Sequence, residues 1–254
     1  METTHAVPVT GASPTHAPSL SVWERTAAIF ARPAHAWGGL ETRAQWWFPL
    51  LVMMVVGAVI TAALHDRAIV PMVVDQWETQ IDAGKMTAAQ MEQMESFMRS
   101  PAGVVVTTVQ QVIVWPIIML LLALLLWFGI GFVLGTRVRY RHAFEVVCWS
   151  SLALIPSQIL TTVLAWSRET LQGVHVGFGI LLPESDSPGK LQGALGILLD
   201  GLGPLSLWPV VVAILGAAAL SGAPRKSVAW VVGGLYIAVL VFAAALAAMF
   251  TPMA

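Results

Sequence analysis

The sequence predicts an all-α membrane protein, a polytopic transmembrane helical bundle with five spans, plus an amphipathic N-terminal helix and an extramembrane helical hairpin. Of its 254 residues, 57% are hydrophobic and 11% are charged, whereas soluble domains average roughly 45–50% apolar and about 25% charged residues. The apolar residues gather into five long runs, and a membrane crossing takes about 20 such residues in a helix. This composition excludes an ordinary soluble enzyme.

The N-terminal region divides into a tail and a helix. Residues 1–20 contain no apolar stretch of the kind a signal peptide requires and predict a disordered tail, so the membrane domain is expected to cover 21–250. Residues 21–31 predict an amphipathic helix that Pro33 ends. That helix either lies in the membrane interface or packs on the cytoplasmic face of the protein itself.

The first span and the polar segment after it are expected at 46–64 and 65–103. Within 65–103, one helix is predicted at 73–83, and Thr87 and Gln90 have the spacing of a capping box ahead of a second. The second helix carries a methionine stripe, Met91 and Met94, with Phe97. The stripe either binds a partner or lipid, or contacts the protein's own surface, which is the interpretation we favour.

Four further apolar runs complete the bundle. The run at 104–135 is longer than one untilted crossing needs, so part of it is expected to project or tilt. Gly131 and Gly135 give it a GxxxG spacing, which marks them as candidate helix-packing residues. The remaining crossings are expected at 110–135, 143–166, 199–220 and 228–250.

The distribution of basic residues predicts the orientation. Eight lie on the side of the N-terminus, close to span ends, and five are dispersed over longer segments on the other side, which makes the first side cytoplasmic. The C-terminus is then external. The eight are Arg25, Arg32, Arg43, Arg137, Arg139, Arg141, Arg225 and Lys226, and the five are Arg67, Lys85, Arg99, Arg168 and Lys190.

The sequence offers no recognisable catalytic, cofactor or metal site. The motifs GxSxG, GxxxxGK[ST] and HExxH are absent, and the single Cys148 excludes an intrachain disulfide. A formal charge of −1 gives no indication of nucleic-acid binding. We therefore expect a non-enzymatic protein.

Only Glu145 and Asp200 place a charge in the predicted spans, each near a boundary. We expect the neighbouring basic residues to neutralise Glu145. Asp200 is expected to open the fourth span, as a helix cap or as part of a small polar membrane site. The candidate residues of that polar site are Asp200, Trp208 and Pro156.

Three arginines, Arg137, Arg139 and Arg141, fall within five residues between the second and third spans. A basic cluster beside a membrane attracts anionic headgroups by about 1 kcal/mol per charge. These arginines are candidate contacts for anionic lipid or a partner, although setting the topology also explains them.

Several segments resemble the YIP domain family, named for interaction with Ypt/Rab GTPases. They are the pattern from Ile29 through Pro33 to Trp37, the segment RHAFEVVCWSSLALIP that ends at Pro156, and LLDGLGPLSLWP, which contains Asp200 and Trp208. The hairpin sequence TAAQMEQMESFMRSP resembles bacterial members in particular. The resemblance covers roughly 25–250.

The resemblance implies a protein that organises membrane or binds protein and lipid partners, including further copies of itself, without catalysis. A bacterial member would lie in the inner membrane, and a eukaryotic one in the ER or Golgi. A transporter or channel for small solutes or lipid is the alternative. Its motivation is the set of prolines that interrupt the spans, Pro116, Pro156, Pro204 and Pro209.

Overall fold

The computed structural model describes residues 20–82, 84–183 and 189–250, in which the regular structure is entirely helical. The all-α prediction is confirmed, while nearly all of the predicted tail, 1–20, lies outside the described residues. The α-helices in these ranges are α1 Val22–Ala31, α2 Trp47–Leu64, α3 Val70–Asp82, α4 Ala88–Met98, α5 Pro101–Leu134, α6 Tyr140–Ser151, α7 Ile155–Arg168, α8 Lys190–Gly201, α9 Pro204–Ser221 and α10 Arg225–Phe250.

Five helical stretches in the described residues are long and apolar enough to cross a membrane, which confirms the five-span prediction. A crossing needs about 20 residues, and two of the stretches join consecutive helices end to end. The five are Trp47–Asp82, Pro101–Leu134, Tyr140–Arg168, Pro204–Ser221 and Arg225–Met249.

The first span runs directly into the hairpin. A π-helical turn, His65–Ile69, joins α2 to α3, so the first hairpin helix begins at Val70. The capping box ahead of α4 is present as predicted, because the Thr87 side chain accepts from the Gln90 amide at 3.3 Å. Met94 and Phe97 are 43% and 49% exposed and Met91 is half-buried, so the protein covers the stripe only in part, and its contact with the protein's own surface stays a prediction.

The second span, α5, is a single helix of 34 residues that continues through Pro116. At 1.5 Å per residue it is roughly 50 Å long, well beyond a hydrocarbon core of about 30 Å. It begins at Pro101, nine residues before the predicted crossing, and Gly135 ends it in the left-handed conformation, with φ of 64°. Part of α5 therefore projects or tilts, as its length requires.

The third span is broken near its middle. A 3-10 turn, Leu152–Leu154, separates α6 from α7, and Pro156 is the second residue of α7. A proline at this position has no N–H to donate and its ring collides with the carbonyl four residues earlier, that of Leu152. The interruption follows from the sequence.

The segment predicted as the fourth span, 199–220, is not one helix, and the span itself is α9. Leu202 and Gly203 separate α8 from α9. The break lies beside the middle of α10, because Tyr236 donates its hydroxyl to the Gly201 carbonyl at 2.7 Å and the Leu240 side chain packs directly on Gly201. α8 therefore packs along the second half of α10.

Two glycines let the helices approach closely around the core. A Cβ on Gly129 of α5 would lie 2.7 Å from the Leu235 side chain of α10. A Cβ on Gly216 of α9 would collide with the Trp37 ring, which lies in the turn after α1. The main core joins these elements to α6 through Val146, Trp149 and other buried side chains.

Candidate membrane-facing site

The two ends of the bundle differ in composition. The basic face is the end formed by α1, residues 32–46 and the arginine loop, by which we mean residues 136–141. The hairpin end is the opposite one, formed by α3, α4 and the start of the segment 169–182 that follows α7. Contacts within each end join segments that are about 100 residues apart in the chain.

A buried arginine fixes α1 to the basic face. Ser21 and Glu24 form the capping box that begins the helix, and one turn later Arg25 is fully buried. Its guanidinium donates to Gln45 Oε1 at 2.9 Å, to the Ala36 carbonyl, and to the Gly38 carbonyl at 2.9 Å. It also lies 5.5 Å above the Trp149 ring.

This arrangement leaves Arg25 charged at neutral pH. Burial lowers the pKa of Arg25 to about 10, and the charge of Glu145 opposes that change. Four neutral groups, three oxygens and an aromatic face, therefore compensate a buried cation. The helix packs on the protein, with Ile29 also fully buried, while Trp23 is 73% exposed.

Glu145 is bound by a backbone amide instead of by the arginine loop. It is fully buried, and its Oε1 accepts from the Gln45 amide at 2.8 Å. Its Oε2 has no hydrogen-bond partner among the described residues. Arg137, Arg139 and Arg141 form no ion pair with it, while the charges of Arg25 and Arg141 act on it without a direct bond, so the expected neutralisation does not take the form of an ion pair.

The three loop arginines have different surroundings. Arg137 and Arg139 are exposed, and neither forms an ion pair or side-chain hydrogen bond with a described residue. Arg141 is half-buried, and its Nη2 donates to the carbonyls of Leu40 and Glu41 at 2.9 and 2.8 Å. None of the three charges is paired with a described carboxylate, and only Arg141 is held in place, by neutral acceptors.

Asp200 lies at the end of α8 and does not open the fourth span, so the expectation of an N-terminal cap is wrong. Its Oδ2 accepts from His175 Nδ1 at 2.7 Å, in the tautomer that donates from that atom. Its Oδ1 accepts from the amides of Gly177 and Gly179 at 2.9 and 3.2 Å. A Cβ on Gly177 would lie 2.7 Å from the Asp200 backbone, so this contact requires glycine.

The other two residues of the predicted polar site are not part of this cluster. Pro156 lies on α7 and is exposed, and Trp208 lies one turn into α9, 36% exposed. Neither has a described contact with Asp200. The structure instead brings in His175, which the sequence analysis did not select because its segment contains no other ionisable group nearby.

Gly131 and Gly135 pack against no other helix in the part of the chain that the structure describes. A Cβ on Gly131 would meet only the Thr136 carbonyl at 3.8 Å, and one on Gly135 would meet nothing within 4 Å. The close approach of α5 to α10 occurs at Gly129. A role for Gly131 and Gly135 in contacts between copies stays a prediction.

Arg25 and Gln45 are the residues of the basic face that sequence analysis missed. Arg25 lies four residues before Ile29, on the same side of an amphipathic helix, and that spacing was the available signal.

In the described ranges no group of three or more His, Cys, Asp or Glu side chains is placed to bind a metal ion.

The five apolar helices define a polytopic integral membrane protein. The sequence profile of the Yip1 domain matches residues 27–247, which is most of the chain, and the chain belongs to the Yip1 domain family. Members of this family are in general non-catalytic membrane proteins. No curated protein and no solved structure has significant similarity to the chain.

Proposed function

We propose that this chain is a non-enzymatic protein of the bacterial inner membrane that presents its basic face to the cytoplasmic leaflet and binds anionic lipid and protein partners there. The observation that carries the proposal is the exposure of Arg137 and Arg139 without an acidic partner among the described residues. Each such charge near an anionic leaflet contributes about 1 kcal/mol to lipid binding.

The rest of the basic face supports the same proposal. The Arg25 contacts hold α1 rigidly, so its exposed Trp23 is presented on a fixed surface, with its ring 5.3 Å from that of Phe48. Tryptophan is favoured at the boundary between headgroups and hydrocarbon. Aromatic and basic side chains therefore share one end of the bundle. This combination is typical of protein surfaces that bind the headgroup region of a membrane leaflet.

A second copy of the chain is the protein partner best supported by α5. Phe128 and Phe132 are stacked on each other at 5.2 Å and are 57% and 76% exposed, on the same turns as Gly131. Replacement Gly131→Ile is expected to abolish chemical crosslinking between copies in native membranes, with Gly38→Ile, in open space on the basic face, as the control. Unchanged crosslinking would contradict this contact.

The lipid proposal is tested by replacing the exposed Arg137 and Arg139 together, once with Gln and once with Lys. The Gln variant is expected to lose anionic-lipid retention after purification at low salt, and the Lys variant to keep it, because only charge matters at exposed positions. Retention by the parent should fall as salt shortens the Debye length. A correctly inserted Gln variant that retains anionic lipid like the parent would contradict the proposal.

Transport of a small solute or lipid is the second candidate function. One observation favours it: the break between α8 and α9 lies beside the middle of α10, and broken helices build the sites of many transporters. Against it, the chain's own donors already occupy both oxygens of Asp200. Protein-dependent flux in proteoliposomes would establish transport, and its absence with correctly folded protein would remove this candidate.

A further inference from the structure

A groove opens on the flank of the bundle next to the basic face. It lies between α2, α5 and α6 and is an open groove of about 380 Å³, within the range of sites that hold small ligands. Its apolar lining consists of Trp46, Leu50, Pro116, Leu120, Tyr140 and Phe144. Apart from Trp46, the walls belong to three stretches that are long and apolar enough to cross a membrane.

Aromatic contacts hold the groove open. The Phe144 ring lies 5.2 Å from the Trp46 ring and stacks on Tyr140 at 6.3 Å. Tyr140 also donates its hydroxyl to the Leu120 carbonyl at 3.0 Å, which fixes the third ring against α5. A preformed groove of this kind binds without the entropic cost of ordering its own side chains.

Among the described residues, Arg141 is the cation that lines the groove. Arg141 forms no ion pair with a described carboxylate, and its two described hydrogen bonds both use Nη2 and neutral carbonyl oxygens. Its Nε is inaccessible and has no partner in the described part of the chain, so the donor left for a ligand is Nη1, which forms no hydrogen bond with a described residue. The guanidinium is thus positioned by the turn at Leu40 and keeps donors for an anion, and arginine matches the geometry of a phosphate.

We infer that this groove binds one acyl chain of an anionic phospholipid while Arg141 binds the phosphate of its headgroup. The inference rests on the proposed function and names the site at which lipid is held. The apolar lining requires the acyl chain, because a free phosphate would leave the walls unoccupied, and the uncompensated charge of Arg141 selects a lipid with net negative charge. Arg137 and Arg139 attract the same leaflet from outside the groove.

The test blocks the groove without touching the arginines. Leu50→Trp fills it, whereas Leu51→Trp, on the neighbouring residue that is 54% exposed, is the matched control. Native mass spectrometry of the purified chain measures retention of phosphatidylglycerol and phosphatidylcholine with identical acyl chains. Leu50→Trp is expected to lower phosphatidylglycerol retention about tenfold, since the acyl chain is excluded, while Leu51→Trp matches the parent.

Arg141→Gln provides a second variant, and its phosphatidylglycerol retention is expected to fall about fivefold, the equivalent of one charge contact. Equal retention of phosphatidylcholine by the parent, or undiminished phosphatidylglycerol retention in Leu50→Trp, would overturn the groove site. Displacement of the lipid by glycerol phosphate at similar concentration would overturn it as well. If Arg137→Gln with Arg139→Gln loses lipid while Leu50→Trp does not, the proposed function stands and the groove site fails.

Discussion

The basic face and the hairpin end differ in whether their arginines form ion pairs within the protein. On the hairpin end, Arg67 pairs with Glu169 at 2.7 Å and Arg99 with Glu95 at 2.9 Å. On the basic face, Arg137 and Arg139 have no such partner among the described residues. Charges that are paired within the protein satisfy each other, whereas unpaired cations on one end are available to an anionic leaflet.

Two polar clusters, one of them on the basic face, each fix a segment of the chain. Arg25 binds three oxygen acceptors and holds α1, while Asp200 binds three donors and holds residues 175–179. The central residues of the two clusters carry opposite charges. Both clusters stabilise the fold, and neither includes Arg137 or Arg139, which are available for binding.

The largest effect is expected from Arg25→Gln. The change leaves the carbonyls of Ala36 and Gly38 without their donor inside the protein, which costs about 3 kcal/mol or more. We expect a large fall in Tm in detergent, with little rescue by Arg25→Lys, because an ammonium lacks the fork that reaches all three acceptors. Arg32→Gln, at the exposed C-cap of the same helix, is the control, and an equal Tm for the two Gln variants would contradict the role of Arg25.

A smaller effect is expected from Asp200→Asn. The new side-chain amide has no negative charge for His175 and one acceptor oxygen fewer than the carboxylate. The loss lowers the free energy of unfolding by about 1–3 kcal/mol. Tm should fall, while retention of anionic lipid should stay at the parental level, because the cluster is remote from the arginine loop. Asp75→Asn, exposed on α3, controls for loss of charge alone, and loss of lipid retention in Asp200→Asn would break the distinction between the two ends.

The smallest effect is expected from Glu169→Gln. The pair with Arg67 is exposed, with side chains 43% and 65% accessible, and exposed pairs contribute about 1 kcal/mol or less. Arg67 also keeps its position 4.7 Å above the Trp166 ring. Tm is expected to change little and lipid retention not at all. A fall in lipid retention comparable to that of Arg139→Gln would show that the two ends do not differ as described.

The spans were predictable because bilayer thickness imposes long apolar runs that a single sequence displays directly. The capping box of α4 was predictable because Thr87 and Gln90 are only three residues apart in the sequence. The apolar runs and the capping box are both local features of the sequence. The break after Asp200 was not predicted, because LLDGLGPL is compatible with the start of one helix and the acidic residue was interpreted as its cap.

The polar clusters depend on contacts between distant segments. Gln45 donates to a residue 100 positions later, and His175 to one 25 positions later. No periodicity in the sequence specifies such pairs. The arginine loop was visible because its residues are adjacent, whereas the groove beside it required three helices and could not be inferred from sequence.

The central claim, that the basic face lies in the cytoplasm and the hairpin end outside, is tested most directly by cysteine accessibility. Arg139→Cys and Lys85→Cys are introduced separately in a background with Cys148→Ala, and a membrane-impermeant thiol reagent is added to intact cells. The account predicts labelling at position 85 in intact cells and at position 139 only after the membrane is opened. Labelling of both positions in intact cells, or of position 139 alone, would contradict it.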